Sequence, residues 1–258
     1  PMKTLDLPSP GYIPWGINST SLFYARGYVD LETGEFAGER VRIDTPQHST
    51  PEAVAEVCGQ IIEKLGVEPD VPVGITFPAP IVHGTVRFMA NLDKSWVGLN
   101  VNELMTQALG RRSYALNDAD AAGLAEVAYG AAKGVGGTVI VTTLGTGIGS
   151  AVIVDGTLVP NTELGHLEID GHDAETRASS GQKTLQDLSW KKWAKRLQRY
   201  YSHVEMLFSP DLFVVGGGVS KKHEKFLPLL ELHTEIVPAA LLNTAGIVGA
   251  AWQASRIE

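Results

Sequence analysis

The sequence predicts an α/β fold of one large domain or two closely packed ones, and three observations carry that expectation. A chain of 258 residues, 44% of them apolar, has enough hydrophobic side chain to bury a sizeable core. Short β-rich runs, Val71–Phe77, Thr138–Thr143 and Leu212–Val215, alternate with segments of helical period. Glycine-rich turns follow two of these runs, Gly145–Gly149 and Gly216–Gly218. A strand leading into a loop nearly free of side chains therefore occurs twice.

Taken in order, the chain begins with a stretch broken by Pro8, Pro10 and Pro14. Ser21–Val29 and Arg40–Ile43 read as strands on either side of a turn at Leu31–Glu35, which predicts an antiparallel N-terminal sheet. Thr50-Pro51-Glu52 starts a helix whose Val54, Val57, Cys58, Ile61, Ile62 and Leu65 share one face, and Gly66 ends it. That places Cys58 in the core. Val71–Phe77 is a buried strand stopped by Pro78 and Pro80, and Val101–Leu109 is a short amphipathic helix. Tyr114–Leu116 is a short strand running into Asn117-Asp118-Ala119-Asp120, with a helix expected over Ala121–Ala132. The glycine hairpin follows, then a helix from about Leu188 to Phe208, the strand Leu212–Val215 and a terminal helix Ala245–Ala254. No internal repeat at a fixed period is visible.

Composition narrows the function classes. A formal net charge of −8 argues against non-specific binding to nucleic acid or to an anionic membrane. Cys58 is the only cysteine, which excludes an intramolecular disulfide and a multi-cysteine zinc site. There is no apolar run long enough to span a bilayer, and Pro1–Asp6 lacks the charged-then-apolar pattern of a secretory signal. A cytoplasmic location is the expectation.

Four groups of residues carry chemistry. In Leu144-Gly145-Thr146-Gly147-Ile148-Gly149-Ser150-Ala151 the near absence of side chains lets backbone N–H groups approach an anion; the plain alternative is an idle turn. No Gly-Lys-Ser/Thr follows, and Ser150 stands where the dinucleotide fingerprint needs its third glycine, so neither of those phosphate motifs is present. Asp118, at a strand's carboxyl end beside the amide of Asn117, suits a general base for a bound hydroxyl. The alternative is a helix cap, with Asp120 the better placed of the two. Glu163 and His166, followed by Glu168, Asp170, His172 and Asp173, supply the mixed donors and acceptors that a polyol needs. A metal site is the rival there, but the spacing fits none and no metal ligand set is expected. Asn91–Trp96 is a polar loop that could complete a sugar pocket through Asn91, or be an ordinary capped loop. Lys191, Lys195 and Arg199, joined by Lys192 and Arg196, stack positive charge on a predicted helix, either a track for a linear polyanion or a solvated face.

Together, Asn117–Glu126, Leu144–Ala151, Glu163–Glu168 and Gly216–Lys221 resemble the sugar-kinase group of repressors, open reading frames and kinases, the ROK family, and most of all its polyphosphate/ATP glucokinase (glucomannokinase) branch. Asn91–Trp96 and Asn243–Ala251 resemble that branch as well. The resemblance runs from about Val29 to the end and implies an actin-like, ribonuclease-H-like fold of two lobes around a cleft. The lobes would be 1–116, with the helix of about 245–258 packing back on it, and 117–244. It implies phosphorylation of glucose, with mannose a second acceptor, at the 6-hydroxyl by polyphosphate or ATP with Mg²⁺. Asp118 would be the base; Asn91, Asn117, Glu163, His166 and Glu168 would hold the sugar. Gly145, Thr146, Gly147 and Gly149 would cradle the donor phosphates, with Gly216, Gly217, Gly218 and Lys221 near the nucleotide. Zinc-binding relatives carry a cysteine cluster after the His that this chain lacks, so no zinc is expected. Neither nucleic acid nor membrane is an expected partner, and a homodimer is allowed.

The sequence departs from the family at its start. Such kinases open with Asp-x-Gly-Gly-Thr-x-x-Lys, whereas Trp15–Arg26 has no Asp and one glycine, and Ala79 stands where a glycine is usual. Phosphoryl transfer depends on positioning and charge neutralisation, so a second reading stands beside the first: a sugar-binding protein with little or no transfer.

Overall fold

The computed structural model describes residues 11–13, 23–43, 46, 48–89 and 92–256. The expected sugar contact Asn91 and most of the atypical opening segment fall outside them. By its internal contacts the chain divides into two units, Pro1–Asn117 with Ala250–Glu258, and Asp118–Gly249.

The first unit contains β1 (Gly11–Ile13), β2 (Phe23–Val29), β3 (Phe36–Ile43), α1 (Pro51–Leu65), β4 (Val73–Phe77), the small hairpin β5 (Ile81–Val82) and β6 (Thr85–Val86), α2 (Val101–Leu109) and β7 (Ser113–Asn117). Its sheet runs β3-β2-β1-β4-β7, antiparallel from β3 to β1 and parallel from β1 to β7. β4 is buried along its whole length, as a strand between two parallel neighbours should be. The start of α1 is fixed by the Thr50 hydroxyl, which accepts the Ala53 N–H at 3.4 Å, and its end by Gly66 at φ 60°. Val54, Cys58 and Ile61 from this helix meet Ile75, Phe77 and Trp96 in the core.

The second unit contains α3 (Asp118–Tyr129), β8 (Thr138–Leu144), β9 (Ile148–Val154), β10 (Thr157–Val159), the hairpin β11 (Glu168–Ile169) and β12 (His172–Asp173), α4 (Glu175–Ala178), α5 (Ser180–Leu185), α6 (Trp190–Phe208), β13 (Leu212–Gly216), β14 (Glu235–Pro238) and the first half of α7 (Ala245–Ala254), whose residues from Ala250 on count with the first unit. Its sheet runs β10-β9-β8-β13-β14, again antiparallel over the first three strands and parallel over the last three. The strand plan of the first unit is thus repeated in the second, without any sequence period. α6 buries Trp193, Leu197, Tyr200, Tyr201 and Val204 and exposes its lysines. No described helix is long and apolar enough to cross a membrane.

α3 starts three residues before the expected Ala121, because Asp118 is already helical. It is buried almost all round and therefore built from small residues: a methyl on Gly123 would press on the Ala151 side chain, at 2.6 Å. A methyl on Gly249 of α7 would run into the carbonyl oxygen of Ala121, which backbone cannot easily yield. We expect Gly249→Ala to cost about 1–3 kcal/mol through such overpacking, read as a lower urea midpoint. Gly145→Ala, where nothing lies within 4 Å of the added methyl, should leave the midpoint unchanged.

Candidate active site

Asp118 opens α3 and lines a cavity of about 130 Å³ within the second unit, together with Glu126, Thr143, Gly216, Gly217 and Gly246. The volume is below the roughly 300 Å³ at which pockets take drug-sized ligands, and suits a small polar group. The Asp118 carboxylate accepts the Ala119 N–H at 2.8 Å. Burial outweighs that bond and pushes its pKa up to about 6. Gly217, at φ 84°, lies so near the Leu144 backbone that any side chain would collide with it. That close approach brings the ends of β8 and β13 together beside Asp118. Gly218 begins a 3-10 turn and Lys221 is exposed; neither lines the cavity.

The glycine hairpin is tighter than expected. Pairing continues to Leu144 and Ile148, so the turn is Gly145-Thr146-Gly147, and Gly149 sits in the ladder opposite Thr143. The Gly145 N–H donates to the Gly147 carbonyl at 3.0 Å and the Ile148 N–H to Glu175 Oε2 at 3.0 Å. Two donors that the sequence suggested for an anion are thus committed within the protein. The Gly145 carbonyl in turn accepts the Gly181 N–H and the Ser180 hydroxyl, both at 2.9 Å, which fastens the turn to the start of α5. Any side chain at Gly147 would strike the Glu175 carboxylate. None of Gly145, Thr146, Gly147 and Gly149 lines the Asp118 cavity.

Glu163 precedes a 3-10 turn, Leu164–His166, that carries the imidazole. His166 Nδ1 donates to Asp173 Oδ2 at 2.8 Å, leaving Nε2 turned to Glu163 Oε2 at 3.9 Å. The Asp173 hydrogen bond raises the imidazole's pKa. Burial raises that of Glu163, opposed by His166 and reinforced by Asp118 and Glu175. Asp120, 2% exposed, sits inside the first turn of α3. Its Oδ2 accepts the Asn161 N–H at 2.8 Å, tying down the loop ahead of Glu163, and burial raises its pKa to about 7. Glu168 is exposed on β11. Asn117 is buried at the end of β7. One group among the described residues could hold a metal ion: His166, Asp173 and Glu175 offer ligand atoms within 4.8 Å of one another. Two of those carboxylates already accept hydrogen bonds, Asp173 from His166 and Glu175 from Ile148.

Residues 28–184 match the model of the ROK family. The chain belongs to that family. Polyphosphate glucokinase of Mycobacterium tuberculosis is 51% identical over 226 residues, covering 87% of this chain and 84% of the relative. Among solved structures, the inorganic polyphosphate/ATP-glucomannokinase of Arthrobacter sp. strain KM matches with a TM-score of 0.90 at 53% identity, covering 97% of this chain and 99% of that one. A ROK family glucokinase from Streptomyces griseus, in complex with glucose and AMPPNP, shares the fold with a TM-score of 0.78 at 23% identity, covering 97% of this chain and 100% of that one. The fold class is thus that of the ROK sugar kinases, an actin-like ATPase fold.

Several residues that shape this ROK site carried no role in the sequence reading. Glu126 closes the Asn117–Glu126 motif, but its partners in the loop after β14 lie more than a hundred residues away. Thr143 reads as one more strand residue. Glu175 braces the glycine turn from 27 residues downstream and left no local signal. Of the cations on α6, Lys191, Lys192 and Lys195 are exposed. Arg196 donates to the Arg177 carbonyl at 3.0 Å and to Gln186 at 2.8 Å, and Arg199 makes a two-pronged pair with Asp170 at 2.9 and 2.8 Å. The stripe is therefore not uniformly free charge. Because Asp173 is the main cause of the raised imidazole pKa, Asp173→Asn should move the His166 titration to lower pH, followed by NMR of the ring. An unchanged midpoint would remove Asp173 as its partner.

Proposed function

We propose that this ROK kinase transfers a phosphoryl group to the 6-hydroxyl of glucose, and of mannose as a second acceptor, from inorganic polyphosphate or ATP in the cytoplasm. The observation that carries the chemistry is Asp118: a carboxylate at a helix start, raised to about 6 by burial, opening on a cavity walled by Gly216 and Gly217. A base of that pKa is about 90% ionised at pH 7 yet far stronger than a solvated carboxylate. In the reaction Asp118 takes the hydroxyl proton as the sugar oxygen bonds to phosphorus, while the bond from phosphorus to the donor's bridging oxygen breaks. Glu163 and His166 accept and donate to the sugar's other hydroxyls, joined by Asn117, Asn91 and Glu168.

Mg²⁺ fits this arrangement as an ion carried mainly by the donor's own phosphates, which needs few protein oxygens. Glu126 is already held by three backbone N–H groups, which leaves the Thr143 hydroxyl and the Asp118 carboxylate as the less committed side-chain oxygens of the cavity wall. When bound, the ion would neutralise charge on the transferring group.

Incubation with glucose, Mg²⁺ and either donor should yield glucose 6-phosphate. Glucose binding without product from either donor would overturn the kinase reading in favour of a sugar-binding protein. Protonation silences the base, so kcat/KM should fall as pH drops through about 6, not through the usual carboxylate range near 4. Asp118→Asn should abolish turnover and leave glucose affinity nearly unchanged.

A further inference from the structure

A second cavity, of about 380 Å³, lies in the same unit between the β11–β12 hairpin, α4 and α6. Arg177, Lys195, Arg196 and Arg199 line it against a single carboxylate, Asp170, which is committed to Arg199. On a chain of net charge −8 this is a local reversal of sign. The guanidinium of Arg177 is held by His172 Nε2 at 2.7 Å and that of Arg196 by Gln186 and the Arg177 carbonyl, so both are preset while keeping further N–H donors. Lys195 has no hydrogen-bond acceptor among the described residues.

Tyr200 lines this cavity and is 1% exposed, yet its hydroxyl has no hydrogen-bond partner among the described residues. That oxygen is enclosed by packing, so Tyr200 lends the cavity wall its ring and not its hydroxyl. Tyr200 is packed edge-on against Tyr201 inside the core, so no aromatic face is open for a nucleobase. The cavity offers donors only, apart from Asp170, beside the small apolar Ala174 and Ala178. Lys195 also lines the neighbouring cavity of about 340 Å³ with Lys191 and Gln198, where Glu231 is the one carboxylate, so an extended ligand has a way onward.

We propose that this cavity seats the phosphates of linear inorganic polyphosphate beyond the one being transferred, with Arg177, Lys195 and Arg196 pairing its oxygens. The inference rests on the reading of the chain as a polyphosphate user. Arg177 stands three residues ahead of Ser180, whose hydroxyl holds the carbonyl of Gly145, so cavity and glycine turn are joined by a short hydrogen-bonded stretch. Of the five α6 cations, Lys192 lines neither cavity and Arg199 is neutralised by Asp170. The seat is a pocket and not the helix stripe.

The test uses the full chain with Lys195→Ala combined with Arg177→Gln, and separately Tyr200→Phe, which deletes only the enclosed hydroxyl and serves as the control. The double variant should raise the KM for long-chain polyphosphate about tenfold or more, since each lost contact was to a charged group. The KM for ATP should stay within about twofold, as for an ordinary surface change. Tyr200→Phe should leave the polyphosphate KM within about twofold of the wild type, as for a change that touches no ligand. Equal effects of the double variant on both donors, or none on polyphosphate, would overturn the proposal. Calorimetric titration with long-chain polyphosphate in the absence of sugar reads the cavity independently of turnover. A wild type that binds polyphosphate through these residues but transfers nothing from it would refute the donor assignment and keep the site. Binding that is identical in the double variant would refute the site.

Discussion

The second unit is drawn together at one buried carboxylate. Glu126, 0% exposed near the end of α3, accepts three backbone N–H groups: Ala131 at 2.7 Å, Ala240 at 3.1 Å and Leu241 at 2.9 Å. A charge without partners at that depth would be prohibitively costly, and three donors from two stretches, one adjoining the helix and one more than a hundred residues on, offset the cost only if both stand where they do. The turn after α3 and the loop leading into α7 are thereby set relative to the helix that begins at Asp118. The walls of the Asp118 cavity, from Ala122 and Glu126 to Ala245 and Gly246, follow from that triple bond.

Charge is sorted by sign within the unit. Asp118, Asp120, Glu163 and Glu175 lie close enough that several raise one another's pKa, with His166 the cation among them. Neutral polyols tolerate such a neighbourhood, since carboxylates accept their hydroxyl protons and no net charge must be repelled. Phosphates do not. The cationic side chains gather on the far element of the same acid-rich stretch, along α4 and α6, so acceptor and donor chemistry are served by groups of opposite character.

What was legible in the sequence is what local pattern encodes. Val101–Leu109 and Ala245–Ala254 form helices over the bounds that their periodicity and flanking residues indicate, and α1 starts and stops at Thr50 and Gly66 because caps act within one turn. Features set by distant partners were not legible. Asp120 looks like a cap until Asn161 supplies its N–H, and α3 begins early because Asp118 enters the helix directly from β7. The glycine turn shrinks to three residues because Ile148 and Gly149 complete a ladder that their composition alone does not announce. The duplication of the strand plan leaves no period, since it is conserved in pairing and not in side chains. In the site, the residue types at 118, 163 and 166 were readable from their motifs. Their braces, Asp173 and Glu175, were hidden among other acids.

Cys58 carries a last consequence. It is the only sulfhydryl in the chain, 0% exposed in the core of the first unit, and burial pushes its pKa up to about 12. Neither thiolate nor access exists in the native state, so alkylating reagents can reach it only when α1 lifts from the sheet. The protein thus carries a built-in stopwatch: its rate of thiol labelling reports the opening of one unit alone and is blind to the half of the molecule that holds Asp118.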